Sequence, residues 1–288
     1  MVSIAVIGPG AVGGTVAAWL AQNADYQVTV CARTAFAELV VETPDGVISA
    51  SPMVLTDPGK APPVDWVLIA TKAYDVASVQ PWLIGLVGPQ TRVAVLQNGV
   101  EQVARFAPVL PMQIIVPVVV DVPAIRTAPG RITQHRYGML IVPAGPNGQA
   151  FVELFGHTPI AARATEEFVS RAWLKLAYNC AGAASALTLR STGPVWSDGL
   201  AEIIGGLVGE CVAVARAEGA DLGPDVVDVV VENARTMPAG AINSMHADRL
   251  AGRPMEFDAR NGVIVRLGFG HGIATPMNAM VVALLAAC

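Results

Sequence analysis

The sequence predicts an α/β protein in which an N-terminal Rossmann-like domain precedes an all-helical C-terminal domain. In the first half, short apolar segments alternate with helical segments, which is the pattern of a parallel sheet with crossover helices. From about residue 165 onward, helical periodicity dominates. We therefore expect one domain at residues 1–164 and a second at residues 165–288. The chain of 288 residues is long enough for each to bury a core.

The first turn of the chain has the pattern of a dinucleotide-binding site. The apolar run Ser3–Ile7 precedes Gly8-Pro9-Gly10-Ala11-Val12-Gly13, which opens a predicted helix. In such turns the first glycine allows a tight bend, the second admits a pyrophosphate, and the third lets helix and strand pack closely. The N–H groups and the positive end of the helix then face the phosphates. The context after a strand and before a helix makes this glycine pattern specific.

Arg33 is the residue that we expect to select the cofactor. It ends the predicted strand Gln27–Arg33, 20 residues after Gly13, and no Asp or Glu stands at that end. A carboxylate there would accept hydrogen bonds from the ribose of NAD, whereas a guanidinium suits a 2′-phosphate. The sequence therefore favours NADP, and the alternative is that Arg33 is a solvated surface arginine.

Two further strands end in polar residues. Trp66–Ala70 is followed by Thr71-Lys72-Ala73, and Val93–Leu96 is followed by Gln97-Asn98-Gly99. Ligands of open α/β sheets bind beyond the carboxyl ends of the strands, so Lys72 and Asn98 are candidate cofactor-binding residues. A solvated loop lysine and a simple Asn-Gly turn remain open as alternatives.

The composition excludes several classes of function. A net charge of -5 without a basic run argues against nucleic-acid binding. The chain is 53% hydrophobic, but glycine and proline interrupt its uncharged runs before they reach the length of a membrane span. The four cysteines show no CxxC spacing and the four histidines show no metal-ligand pattern. We expect a cytoplasmic protein without a metal ion.

Several elements are predicted from periodicity and from turn residues. The apolar positions from Leu200 to Ala215 recur at i, i+3, i+4 and i+7, which is typical of a helix with one buried face. The remaining predictions are a helix from Val100, a last edge strand at Pro159–Ala161, and helices at Val226–Val231, Asn243–Leu250, Glu256–His271 and Pro276–Ala287.

A second group of polar residues lies in the predicted helical half. Lys175 and Asn179 are four residues apart and therefore share one helical face, and Ser244 and Glu256 follow later. These side chains suit the reduction of a ketone, because an ammonium can stabilise the developing alkoxide and supply its proton. The spacing also fits a surface lysine with a buried stem and an acidic residue at a helix start.

Taken together, the motifs resemble those of the ketopantoate reductase (2-dehydropantoate 2-reductase) family over nearly the full chain. The matching residues are Gly8-Pro9-Gly10-Ala11-Val12-Gly13, Arg33, Thr71-Lys72-Ala73, Gln97-Asn98-Gly99, Trp173, Lys175, Asn179, Ser244-Met245, Asp248, Glu256, Asp258, Asn261-Gly262, His271-Gly272-Ile273 and Pro276. The lysine–asparagine helix, combined with the segments around Ser244 and Glu256, is the most particular part of this resemblance.

The resemblance implies an oxidoreductase of pantothenate biosynthesis that uses NADPH in a cleft between the two domains. It implies Lys175 as general acid and Glu256 as the carboxylate that orients lysine and substrate. Asn98, Asn179 and Ser244 would bind the substrate, and Lys72 would line the cofactor side. The resemblance suggests a homodimer through the helical domain, and the alternative is a monomer. The implied reaction is hydride transfer to a small 2-oxo acid, with ketopantoate to pantoate as the leading case.

The chain departs from the family pattern at two positions. Ala183 and Gly193 stand where the family often has asparagine. A site that holds a hydroxyl by a hydrogen bond discriminates strongly through that bond, so these changes leave the substrate open. The alternatives are a relative that reduces a different 2-oxo acid or an imine, and a non-catalytic NADP-binding sensor.

Overall fold

A computed structural model describes residues 1–191, 198–238 and 240–288 of the chain. These residues form two compact units. The first comprises Met1–Gln97 and Gln102–Phe168, and the second comprises Asn98–Glu101 and Val169–Cys288. The boundary that we expected between residues 164 and 165 stays a prediction. The second unit includes four residues that directly follow Gln97 of the first unit.

The first unit contains all the strands of the described chain and four helices. In chain order its elements are β1 (Val2–Ile7), α1 (Ala11–Leu20), β2 (Tyr26–Cys31), β3 (Leu39–Thr43), β4 (Gly46–Ala50), β5 (Met53–Leu55), β6 (Val64–Ile69), α2 (Val76–Leu86), β7 (Val87–Val95), α3 (Gln102–Phe106), β8 (Ile115–Pro117), β9 (Val119–Asp121), β10 (Ala124–Ala128), β11 (Arg131–Gln134), β12 (Met139–Pro143), α4 (Pro146–Leu154) and β13 (Ala161–Thr165).

The main sheet has six strands in the order β5-β2-β1-β6-β7-β8, and every neighbouring pair is parallel. The last four residues of β1, β2 and β6 are buried, because helices or smaller sheets cover both faces. These strands therefore read as continuous apolar runs rather than as alternating ones. The arrangement brings the carboxyl ends of β1, β6 and β7 to one edge, where the predicted cofactor residues follow them.

Two smaller sheets complete the first unit. One has the order β10-β11-β3-β4, and the other has the order β13-β12-β9. The predicted edge strand at Pro159–Ala161 is wrong in position, because the strand begins at Ala161 and pairs in parallel with β12 through Thr165. The helix predicted from Val100 begins only at Gln102, after the segment Asn98–Glu101 of the second unit.

The second unit is helical. Its elements are α5 (Phe168–Ala181), α6 (Ala183–Thr188), α7 (Asp198–Ala217), α8 (Val226–Thr236), α9 (Ser244–Leu250), α10 (Val263–Gly270) and α11 (Pro276–Ala286). Buried residues of α5, α7, α8 and α10 form one apolar cluster. The long helix predicted from Leu200 to Ala215 is confirmed as α7, and the predicted helix at Glu256–His271 is interrupted by a π-helical turn at Asp258–Gly262.

The described residues contain no helix that is long and apolar enough to cross a membrane.

Candidate active site

The glycine turn between β1 and α1 has the geometry that its sequence predicts. Gly8 adopts a φ of +88°, which L-residues rarely adopt, and it packs against Thr71. A Cβ on Gly13 would lie 2.3 Å from the carbonyl oxygen of Gly8, so only glycine allows this approach of helix to strand. A Cβ on Gly10 would meet no atom within 4 Å. The space beside Gly10 therefore suits the close approach of a phosphate group.

The start of α1 fits a dinucleotide. Gly10 is the N-cap residue, no side chain caps the helix, and no acidic residue stands in its first turn. The helix N-terminus thus presents its partial positive charge without a protein carboxylate to neutralise it. Arg33 lies two residues beyond the end of β2 and is exposed. The start of α1 therefore suits a pyrophosphate, and Arg33 suits a 2′-phosphate.

A buried glutamine joins the two polar strand ends in this unit. Gln97 follows β7, and its Nε2 donates to Thr71 Oγ1 at 3.1 Å and to the carbonyl oxygen of Lys72 at 3.3 Å. Its Oε1 accepts from Arg105 Nη1 at 3.3 Å. Gln97 therefore fixes the backbone that carries Lys72. No role for Gln97 follows from the sequence motif in which it stands.

In the helical unit, Lys175 and Asn179 lie on one face of α5. Both are half-buried, and the helix from Phe168 to Ala181 confirms their i, i+4 relationship. The last turn of α5 contacts the segment that follows Glu256, since Asn261 Nδ2 donates to the carbonyl oxygen of Cys180 at 3.3 Å. The lysine helix and the glutamate segment therefore pack together.

Glu256 is buried and hydrogen-bonded to Asn98. Only 4% of Glu256 is exposed, and its Oε2 accepts from Asn98 Nδ2 at 3.1 Å. A buried carboxylate needs such charge-assisted hydrogen bonds to remain ionised at low cost. Glu256 is therefore not a solvated side chain, and its role in the site stays a prediction.

An ion-pair network holds the segment that carries Asn98. Arg266 on α10 donates to Glu101 Oε2 at 2.8 Å and to Asp258 Oδ1 at 2.5 Å. Burial lowers the pKa of Arg266, but the hydrogen bonds and charges of Asp258 and Glu101 outweigh burial, so its pKa is raised overall. Arg266 thereby fixes Glu101, three residues after Asn98. No sequence motif predicts this ion pair.

Ser244 is the first residue of α9, and its backbone is fixed by the residue before it. Asn243 caps the helix, because its Oδ1 accepts from the backbone N–H groups of Met245 at 2.9 Å and His246 at 3.0 Å. Asn243 Nδ2 donates to the carbonyl oxygen of Gly182 and to Ser185 Oγ, at 2.9 and 2.6 Å. Ser244 itself is exposed, and its Oγ accepts from Arg260 Nη2 at 2.7 Å.

Arg260 is a buried cation whose role the sequence motifs do not indicate. It is 3% exposed, and burial lowers its pKa while the charges of Glu256 and Asp248 oppose that shift. Asp248 is 5% exposed and forms an ion pair with Arg253 at 2.9 Å. The helical unit therefore places a buried arginine in the field of two buried carboxylates.

Of the two positions that depart from the family pattern, Ala183 lies among the described residues. Ala183 begins α6 and lies in an apolar cluster with Ala186, Leu207, Met245, Val281 and Leu285. Gly193 lies outside the described residues. A small apolar side chain within a buried cluster therefore occupies the position of Ala183, where the family often has asparagine.

Comparison with known proteins identifies the family. The model of the family described as ketopantoate reductase PanE/ApbA matches residues 4–147, and the model of its C-terminal domain matches residues 167–288. The chain belongs to the ketopantoate reductase family. A 2-dehydropantoate 2-reductase of Caulobacter vibrioides is 60% identical over 285 residues, which cover 99% of this chain and 98% of that protein.

More distant members of the ketopantoate reductase family agree in sequence and in fold. A 2-dehydropantoate 2-reductase of Mycobacterium tuberculosis is 41% identical over 99% of this chain and 97% of that protein. The crystal structure of a PanE/ApbA family ketopantoate reductase from Ralstonia eutropha JMP134 aligns with a TM-score of 0.90 at 30% identity, over 99% of this chain and 97% of that one.

Family membership confirms the predicted resemblance and the predicted fold class, a Rossmann-like domain with a helical C-terminal domain. It also confirms the predicted enzyme class, an oxidoreductase of the 2-dehydropantoate 2-reductase type, with NADP as the cofactor of this family. The roles of the individual site residues stay predictions. Among them, the structure joins Asn98 to Glu256 and places Lys175 and Asn179 on one face.

Proposed function

We propose that this protein reduces ketopantoate to pantoate with NADPH. The observation that carries the proposal is the buried Glu256 carboxylate bonded to Asn98, two predicted site residues 158 positions apart in the chain. Family membership and the 60% identical relative named 2-dehydropantoate 2-reductase support the same reaction.

In this proposal the first unit binds the cofactor. Gly10 leaves space for the pyrophosphate at the start of α1, and Arg33 pairs with the 2′-phosphate. Lys72, with its backbone held by Gln97, lies at the same strand edge as the glycine turn. NADPH supplies the hydride that the ketone carbon accepts.

The helical unit handles the substrate and its proton. Lys175 donates a proton from Nζ to the ketone oxygen as negative charge develops there. Asn179, one turn further along α5, and the exposed Ser244 hydroxyl hold the polar groups of the substrate. Glu256 orients Lys175 and the substrate, and Asn98 keeps the Glu256 carboxylate in place through the 3.1 Å hydrogen bond.

The proposal is tested by the loss of NADPH absorbance when ketopantoate is added to the purified protein. We expect turnover with NADPH and a much lower kcat/KM with NADH. Lys175→Ala should lower kcat by about 100-fold or more, since general acid catalysis contributes 10²–10⁴-fold, while the Kd of NADPH stays within a few-fold. Loss of NADPH binding in this variant would mean that the lysine role is misassigned.

Arg33→Asp tests the cofactor preference. The added carboxylate repels a 2′-phosphate and accepts the ribose hydroxyls of NADH, so the ratio of kcat/KM for NADPH to that for NADH should fall. An unchanged ratio would contradict the assignment of Arg33 to the 2′-phosphate.

The apolar surroundings of Ala183 favour one alternative, a less polar 2-oxo acid as the natural substrate. A panel of 2-oxo acids with aliphatic side chains tests it. A higher kcat/KM for one of them than for ketopantoate would transfer the substrate assignment while keeping the reaction type.

We also propose that the protein forms a homodimer through α11. This helix is apolar except at the buried Asn278 and exposes Met280 and Leu284, and Phe269 at the end of α10 is 88% exposed. Light scattering should give twice the mass of one chain, and Leu284→Glu should shift the protein to a monomer. A monomeric wild-type protein would overturn this assignment.

A further inference from the structure

Arg260 lies inside an unusual turn of the backbone. Residues Asp258–Gly262 form a π-helical turn, in which the Val263 N–H bonds to the carbonyl oxygen of Asp258. Four consecutive residues, Ala259 to Gly262, are buried, although a surface α-helix would expose part of such a run. Single π-turns are rare and occur frequently at functional sites. Here the turn places a charged side chain, Arg260, in the interior of the helical unit.

The contact that Arg260 makes determines the direction of a hydroxyl proton. Arg260 Nη2 donates to Ser244 Oγ at 2.7 Å, so this oxygen is used as an acceptor. A serine hydroxyl has one proton of its own to donate, and that proton cannot point toward a guanidinium. Asn243 fixes the backbone around Ser244, and Ser244 is exposed, so its hydroxyl proton is available to a bound ligand.

The charges near Arg260 show which ligand such a donor suits. Glu256 and Asp248 are buried carboxylates, and Arg253 forms an ion pair with Asp248. A 2-oxo acid is an anion, which Glu256 would repel if no cation balanced it. Arg260 retains a further buried donor, because its Nε has no hydrogen-bond partner among the described residues.

We propose that Arg260 is a positioning residue that makes the site selective for an anionic substrate. It orients the Ser244 hydroxyl as a donor to the substrate carboxylate and offsets the negative charge of Glu256. This inference rests on the proposed function, in that the substrate is a 2-oxo acid. It adds a residue for which the sequence motifs gave no role.

The experiment compares steady-state kinetics of the whole enzyme at saturating NADPH. Arg260→Met removes the charge and keeps most of the side-chain length, and we expect the KM for ketopantoate to rise about 10- to 100-fold, the range of a lost charged hydrogen bond. The kcat should change less than KM, and the Kd of NADPH should stay constant. Arg260→Lys restores the charge without the fork of donors and should recover part of the KM.

The KM values of Ser244 and Arg253 variants distinguish a positioning role of Arg260 from a purely structural one. Ser244→Ala alone should raise KM, and the double variant with Arg260→Met should be little worse than the worse single variant, because both changes remove one shared interaction. Arg253→Met removes the exposed arginine that pairs with Asp248, and it should change KM less than threefold. It therefore controls for net charge alone.

A folded Arg260→Met protein with an unchanged KM would overturn the inference, and so would effects of Ser244→Ala and Arg260→Met that multiply fully. If Arg260→Met does not fold, an Arg260→Lys variant with the KM of the wild type and a Ser244→Ala variant without effect would overturn it instead. If the wild-type enzyme reduces another 2-oxo acid but not ketopantoate, the proposed substrate fails and the same comparison is made with that acid. A protein that reduces no 2-oxo acid overturns both proposals.

Discussion

Asn98 Nδ2 donates a hydrogen bond of 3.1 Å to the buried Oε2 of Glu256. Asn98 lies three residues after the end of β7, yet it belongs to the helical unit, together with the three residues after it. The amide thus stabilises the ionised form of a carboxylate that has little access to water. We therefore expect substitutions of Asn98 and Glu256 to have coupled effects.

A double-mutant cycle on this pair should show strong coupling. Asn98→Ala and Glu256→Gln should each lower kcat/KM by about 10-fold or more, and the double variant should lose less than the product of the two. We expect a coupling free energy of about 1.5–3 kcal/mol, as for hydrogen bonds to charged groups. The measurement is kcat/KM for the four proteins at saturating NADPH.

Glu232→Gln is the matched control for this cycle, because it removes an exposed carboxylate of α8 from the same unit. It should leave kcat/KM unchanged. Fully multiplicative losses from Asn98→Ala and Glu256→Gln would contradict the coupling.

The ion pair between Arg266 and Glu101 should affect substrate binding more than stability. Both groups are partly exposed, so their contribution to unfolding should be about 1 kcal/mol or less. Glu101→Gln, however, loosens the segment that holds Asn98, and we expect the KM for the 2-oxo acid to rise roughly 3- to 10-fold. The difference from the wild type should shrink at 1 M salt, where the pair is screened.

Arg131→Met is the control for this second prediction, since it breaks a similarly exposed pair with Glu38 in the first unit. It should change neither KM nor its salt dependence. Equal effects of Glu101→Gln and Arg131→Met on KM would mean that Glu101 does not position Asn98.

The elements that could be predicted from sequence are those whose burial leaves one clear period. The helix α7 has an unbroken apolar stripe from Leu200 to Ala215, and β1 is a continuous apolar run because both of its faces are covered. The strand β10 was missed, because nearly all of Ala124–Ala128 is exposed and an exposed edge strand has no apolar alternation to detect. The strand β13 was misplaced for a related reason, since its five residues are exposed or only half-buried.

The candidate site likewise contains relationships that a regular period predicts and contacts that it does not. The face shared by Lys175 and Asn179 follows from a helical period of 3.6 residues, so their spacing alone was sufficient. The contact of Arg260 with Ser244 depends on the π-turn at Asp258–Gly262, which breaks that period. No spacing rule connects Arg266 to Glu101, because the pair forms only when the chain returns from α10 to a distant segment.

Glu210 should be a strong determinant of stability. From α7, its carboxylate accepts from the backbone N–H groups of Met277 and Asn278 at 2.8 and 2.9 Å, and from Asn278 Nδ2 at 2.7 Å. It thus caps α11, whose own N-cap residue Thr275 makes no side-chain capping bond. Glu210→Ala should lower the free energy of unfolding by about 2–3 kcal/mol, because it removes the cap and leaves a buried amide without this acceptor.

Urea denaturation followed by circular dichroism measures this loss. Glu202→Ala is the matched control, since Glu202 is exposed on the same helix. It should change the free energy of unfolding by less than about 0.5 kcal/mol. Similar losses from both variants would indicate a general effect of α7 rather than a cap.

His246 should make the stability of the folded chain depend on pH. It is buried one position after Met245 on α9, and burial, together with the positive charge of Arg249, lowers its pKa below the usual 6.5. The folded protein therefore keeps His246 neutral at a pH where the unfolded chain binds a proton. The contribution of His246 to the free energy of unfolding is therefore complete above about pH 6.5. It decreases as the pH falls from there toward the lowered pKa of the folded state. His246→Gln should remove this part of the decrease, as seen in urea midpoints between pH 7.5 and 5.5.

The exposed His157 provides the control, since His157→Gln should leave the pH dependence as in the wild type. A His246→Gln protein that loses stability on acidification as steeply as the His157→Gln protein would show that the protonation of His246 does not contribute.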